Sequence, residues 1–182
     1  LLAVTCFNPG KAYPQTGIFY RMWLYYFWHF LGAFLMAGDN QLHATVSWAG
    51  DSSFIGRSGS GHAVMFDSNK DDGVAPTPME TLLMAAGACS SVDVVSILQK
   101  AKQQVTDCRV VLTGDRVDTV PRVFSKIHLH FEVTGFDVSE KHVERAVNLS
   151  AEKYCSVSIM LQQAMTVTHS FSVQASAVKP AG

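Results

Sequence analysis

Residues 76–98 read PTPMETLLMAAGACSSVDVVSIL, and the opening of this stretch is a helix start written in side chains. Thr77 is placed to be the N-cap, Pro78 the first helical residue and Glu80 the third, the pattern of a capping box. Apolar or small residues at Leu82, Leu83, Ala85, Ala86, Cys89, Val92, Val95, Ile97 and Leu98 keep a helical period to about Lys102. A helix of that span is about 35 Å long at the usual rise, more than a small domain buries along one side, so it is expected to be the central element. Its middle, AAGACSS at 85–91, is built of small residues and lets another backbone or a small molecule come close to Cys89.

Outward from this helix the period changes from helical to alternating. Upstream, Leu42, Ala44, Val46 and Trp48 alternate with polar residues and predict a half-buried strand ending at Gly50 and Asp51. Phe54–Gly56 continues the sheet, and the run Ser58–Gly61 leads to a further strand at Ala63–Phe66, closed by the loop DSNKDDG at 67–73. Downstream, strands are expected at Arg109–Thr113 and Phe124–Thr134, joined through RVDTVPR at 116–122. The second places Ile127, Leu129, Phe131 and Val133 on a core face and Lys126, His128, His130 and Glu132 on a wet one. Ser139 is expected to cap a helix carrying Val143, Ala146 and Val147. A shorter helix follows from Tyr154 and Cys155 through Met160 to about Ala164, and Val167, His169, Phe171 and Val173 form a last strand. Strands, a long helix, strands, two helices and a strand make an α+β fold with mostly antiparallel pairing.

The length of 182 residues fits one domain, and 14 Lys and Arg against 15 Asp and Glu exclude an electrostatic nucleic-acid binder. Residues 1–40 are a different population from 41–182. Ile18–Ala37 is as long and apolar as a membrane helix, broken only by Arg21 and His29. It does not read as a signal peptide, because one Lys and two Pro precede it and Gly38, Asp39 and Asn40 follow it. Met36 opens MAGDNQLHATVSW just before the first strand, so the favoured expectation is an over-extended start, the other an N-terminal membrane anchor. The remainder is expected to be cytoplasmic.

Among candidate reactive groups, His128 and His130 share one strand face with Glu132, a weak metal-ligand pattern that solvated sheet faces carry routinely. No metal site is therefore assigned. The glycines of GRSGSGH at 56–62 lack the strand-to-helix context of a phosphate loop. The four cysteines, at 6, 89, 108 and 155, are too scattered for a disulfide framework or paired-thiolate zinc spacing. Cys89 reads either as a small buried hydrophobe or as a reactive thiol. Cys155 falls where one helix gives way to another, where free N–H groups can lower a thiol pKa. Cys108 and Cys6 have no comparable surroundings.

PTPMETLLMAAGACSSVDVVSIL, together with LSAEKYCSVSIMLQQAMTVTHSFSV at 149–173, resembles the OsmC/Ohr family of thiol-dependent peroxidases, and within it the YhfA-like branch, over about Gln41 to Ala175. The resemblance implies an α+β, OsmC-like fold with antiparallel sheets wrapping long central helices in an intertwined homodimer. It also implies a redox pair, which here falls on Cys89 and Cys155. Cys89 would attack the O–O bond of an organic hydroperoxide and become a sulfenic acid, and Cys155 would resolve it to a disulfide. A dithiol or lipoylated reductant would reset the pair, with no bound cofactor and no metal. The family also uses an Arg and a Glu near the thiolate, for which Arg57 and Glu80 are the candidates. Glu80 lies nine residues before Cys89, where the family Glu lies ten before and this chain has Met79. It can equally be only the capping-box residue. Ser156 stands where better-known members have Pro.

Three readings follow: an organic hydroperoxide reductase in oxidative-stress defence, a non-catalytic stress protein of the same fold that binds a small apolar ligand near Cys89, and either of these held at a bilayer by Ile18–Ala37.

Overall fold

Thr77 stops the preceding loop and starts the helix as its sequence predicts. In the computed structural model, which describes residues 41–176, helix α1 spans Pro78–Lys100. Thr77 Oγ1 accepts from Glu80 N–H at 3.3 Å, while Glu80 Oε2 accepts from Thr77 N–H at 2.8 Å. Such a reciprocal cap stabilises a helix start by about 1 kcal/mol. The helix buries Ala86, Gly87, Ser90, Val94 and Leu98, a stripe of three- and four-residue steps. Small residues in that stripe have a packing reason. A Cβ on Gly87 would lie 2.7 Å from Leu112 Cδ1, so the neighbouring strand approaches the helix where AAGACSS allows it.

That strand is β4, Gln104–Arg116, antiparallel to β5, Phe124–Phe136, with Val110 opposite Phe131 and Leu112 opposite Leu129. β4 is far longer than the expected Arg109–Thr113. Its inward positions are Val105, Cys108, Val110, Leu112 and Gly114, and a thiol and a glycine hide the alternation from hydrophobicity alone. A register shift between Val105 and Asp107 also breaks the period of two. β5 behaves as its sequence predicts: Ile127, Leu129, Phe131 and Val133 are fully buried in the core, with Val94, Leu98, Val143, Ala146 and Val147 around them.

Helix α2, Glu140–Leu149, follows, then one turn of π-helix at Ser150–Tyr154, helix α3 at Ser156–Gln162 and strand β6 at Thr166–Ala175. Ser139 stands at the N-cap of α2 without a side-chain cap bond; its N–H is held instead by Gln103 Oε1 at 2.9 Å. β6 pairs with β5 in parallel, with Phe131 opposite Phe171, and this corrects the expectation of antiparallel sheets for that pair. The helical segment between them is the crossover that a parallel neighbour requires. On the outer face of this pair all four ring nitrogens of His128 and His130 contact the hydroxyls of Thr168, Ser170 and Ser172 at 2.7–3.3 Å.

The other sheet has the order β1-β2-β3, from Ala44–Gly50, Ser53–Ser58 and Ala63–Asp67. Asp67 ends it as a buried loop organiser that the sequence reading missed. Its carboxylate accepts from Ser52 Oγ at 2.6 Å, Asn69 N–H at 2.9 Å and Val74 N–H at 3.2 Å, which hold it below the usual carboxylate range. β1 departs from expectation, since Val46 and Trp48 stand 66% and 69% exposed rather than half-buried in the single chain. The chain divides into units Leu1–Ala44 and Thr45–Gly182, and the elements above belong to the second apart from the first residue of β1. Ile18–Ala37 lies outside the described residues. Among the described residues α1 alone is long and apolar enough to cross a membrane, and it packs its buried stripe into the core instead.

Candidate active site

The π turn sets Cys155. Cys155 N–H reaches back five residues to Ser150 O at 2.9 Å, a wider loop than an α-helix makes, and such turns recur at functional sites. Cys155 then leaves the helical region, at φ −71° and ψ 100°, and serves as the N-cap of α3, where its Sγ accepts from Ser158 N–H at 3.4 Å. Ser156, in place of the family proline, is the first residue of α3, so the helix start survives the change.

Helix α1 brings Cys89 to the same place from the other side, close enough for the two thiols to act on one another electrostatically. Ser90 Oγ–H donates to Cys155 Sγ at 3.2 Å, and Ser90 and Ser158 hydroxyls lie 3.1 Å apart. Ser150 Oγ–H donates to Ser90 O at 3.2 Å and ties the π turn to α1. Cys155, Ser90, Ser150 and Ser158 are all buried, whereas Cys89 is partly exposed. Both thiols are free.

This arrangement splits the two thiols. Burial on its own would raise Cys155, but hydrogen bonds from the Ser158 hydroxyl, Ser90, the Ser158 backbone and Cys89 outweigh it and hold the thiol below its ordinary range. Burial raises Cys89; the Val157 N–H opposes it, and the contact with Cys155 and the charge of Asp93 add to it. The lower thiol is therefore Cys155, at the helix junction where the sequence pointed to lowering, and its chief donors are serines the sequence reading overlooked. Ser158 had a signal, three residues after an N-cap sulfur. Ser90 had none beyond being polar in a stripe of small residues.

The remaining candidates lie elsewhere. Glu80 is exposed at the far start of α1, its carboxylate bound by Thr77, nine residue steps before Cys89 and so about 13 Å away along the helix. Its pKa is lowered by the Thr77 backbone and hydroxyl, as befits a cap. Arg57 is exposed on β2 opposite Ala63. Neither is among the groups acting on either sulfur. Cys108 faces inward on β4, where burial and then the charge of Asp107 push its thiol up. Cys6 lies outside the described residues. A cleft of about 490 Å³ opens beside the site between α1 and α2, lined among others by Asp93, Ile97, Lys100, Arg145 and Tyr154.

Comparison with known proteins gives this geometry a family. The profile described as OsmC-like protein matches residues 69–170. Protein YhfA of Escherichia coli K12 is 54% identical over 134 residues, which is 74% of this chain and 99% of that one. A hypothetical protein of Aquifex aeolicus is 31% identical, with a TM-score of 0.67, over 75% of this chain and 98% of its own. An organic hydroperoxide resistance protein of Legionella pneumophila shares the fold at 18% identity and a TM-score of 0.58, over 75% and 99% of the two chains. With the profile covering more than half its length and a relative this similar over three quarters of it, the chain belongs to the OsmC-like family.

Proposed function

We propose that this protein is a cysteine-based organic hydroperoxide reductase working through Cys89 and Cys155. The observation that carries the reading is that the partly exposed Cys89 thiol and the buried Cys155 thiol, which is held below its ordinary range, are close enough to act on one another. Two neighbouring thiols can give two electrons to one substrate: the hydroperoxide becomes alcohol and water, and the thiols become a disulfide. A dithiol or a lipoylated protein returns the pair to two thiols by exchange, a reaction suited to the reducing cytoplasm, where we place the protein. Its role is defence against oxidative stress.

The working species in this reading is a homodimer. Val92 and Met84 on the outer face of α1 are 70% and 50% exposed, and Val46 and Trp48 on β1 have no core of their own. A second copy would cover both, and gel filtration at twice the chain mass is the expected result. The second reading, a non-catalytic stress protein holding a small apolar ligand beside Cys89, draws support from one fact: Glu80 and Arg57 do not reach the sulfurs.

Hydroperoxide consumption separates the two. With cumene hydroperoxide and excess dihydrolipoamide, sustained turnover is expected, and glutathione should support it poorly. Thiols that stay reduced in excess peroxide would contradict the reductase and leave the ligand-binding reading.

A further inference from the structure

A resolving cysteine needs only to reach the sulfenic acid, yet Cys155 Sγ is the focus of two donors. Ser90 Oγ–H at 3.2 Å and Ser158 N–H at 3.4 Å both point to it, the sulfur is fully buried, and Cys89, next to Ser90 on α1, is close enough for the two thiols to act on one another. Donors aimed at a desolvated atom favour its charged form. Cys89 has the opposite problem. It is the more accessible sulfur, but it must lose a proton before it can attack, and Asp93 four residues on opposes charge there. Among the described residues no Lys or Arg hydrogen-bonds either sulfur.

We propose that Cys155 is the proton acceptor for Cys89 as well as its resolving partner, and that Ser90 and Ser158 are positioning residues that hold negative charge on Cys155 Sγ. The inference rests on the reductase reading above. As Cys89 Sγ forms a bond to the distal oxygen of the hydroperoxide, its S–H proton passes to Cys155 Sγ and the O–O bond breaks. Cys89 is oxidised by two electrons to the sulfenic acid, and the leaving alkoxide takes the proton from Cys155 to become alcohol. Cys155, a thiolate again, then attacks the Cys89 sulfur, and hydroxide leaves as the disulfide forms. One sulfur thereby serves as base, acid and nucleophile in turn, a role that Arg57 and Glu80 of the same chain do not fill.

Two measurements test this. Titration of the reduced wild-type protein, labelled with [13Cβ]cysteine and followed by NMR, is expected to ionise Cys155 at a lower pH than Cys89; the reverse order overturns the inference without any peroxide being added. Single-turnover formation of the Cys89 sulfenic acid, trapped with dimedone and followed by mass, is the second. Cys155→Ser is expected to slow it about a hundredfold at neutral pH, the scale of a lost general base. Its pH profile should move from below the ordinary thiol range, where Cys155 titrates, to above it, where Cys89 does. Ser90→Ala and Ser158→Ala should each raise the Cys155 midpoint and slow the step about tenfold, as for one hydrogen bond to a charge. Cys155→Ala gives the same comparison if Cys155→Ser fails to fold. A wild type that is never oxidised sinks the reductase and this inference together. A wild type that is oxidised, with Cys155→Ser forming the sulfenic acid just as fast, sinks this inference alone.

Discussion

A Cys89→Ser protein is expected to consume cumene hydroperoxide about a thousandfold more slowly than the wild type, or not at all, because the sulfur proposed to meet substrate and to hand its proton to Cys155 is gone. A serine hydroxyl at this position ionises far too weakly to take the place of the thiol. Cys108→Ser is the control. That thiol is raised by burial and by Asp107 and lies on β4, so its loss should leave turnover within a factor of two or so of the wild type. Peroxide remaining against time, read at one protein concentration for all variants, checks both. Equal rates for Cys89→Ser and wild type would remove Cys89 from the chemistry.

The largest expected loss of stability is at Phe131. It is 2% exposed at the centre of β5, opposite Val110 on β4 and Phe171 on β6, and it packs into the cluster formed by α1, β5 and α2. Phe131→Ala should lower the free energy of unfolding by about 3–5 kcal/mol, the sum of lost transfer energy and the cavity left behind. Urea unfolding at fixed protein concentration should show the midpoint falling with little change of slope. An unchanged midpoint would mean that β5 is not the centre of the core.

How far the sequence reached depended on whether a signal was local. The start of α1 was legible because Thr77, Pro78 and Glu80 sit within four residues of one another, and the capping bonds run between Thr77 and Glu80. The inner face of β5 was legible because four large apolar residues repeat at a period of two. β4 was read short because Cys108 and Gly114 occupy inward positions without looking hydrophobic. The parallel pairing of β6 was invisible, since pairing direction is set by where the α2 to α3 crossover lands rather than by anything in Val167–Val173. The alternation of β1 was read correctly as a pattern, but its apolar side finds no core among the described residues.

The same distinction holds at the site. Cys155 could be singled out from its place between two helices, and Cys89 from the small residues around it. That they act on one another depends on packing across more than sixty residues of chain, and so do the contacts of Ser90 with Cys155 and of Ser150 with Ser90. Glu80 carried two meanings in the sequence, a cap and a catalytic carboxylate, and its bonds to Thr77 put it at the cap.

The central claim is that Cys89 and Cys155 are one redox unit. One equivalent of cumene hydroperoxide added to the fully reduced protein, followed by intact mass and peptide mapping, tests it directly. The expected result is a loss of two hydrogens and a single new link joining the peptides of Cys89 and Cys155. A protein whose mass is unchanged, or whose oxidised peptide contains Cys108 instead, would contradict it.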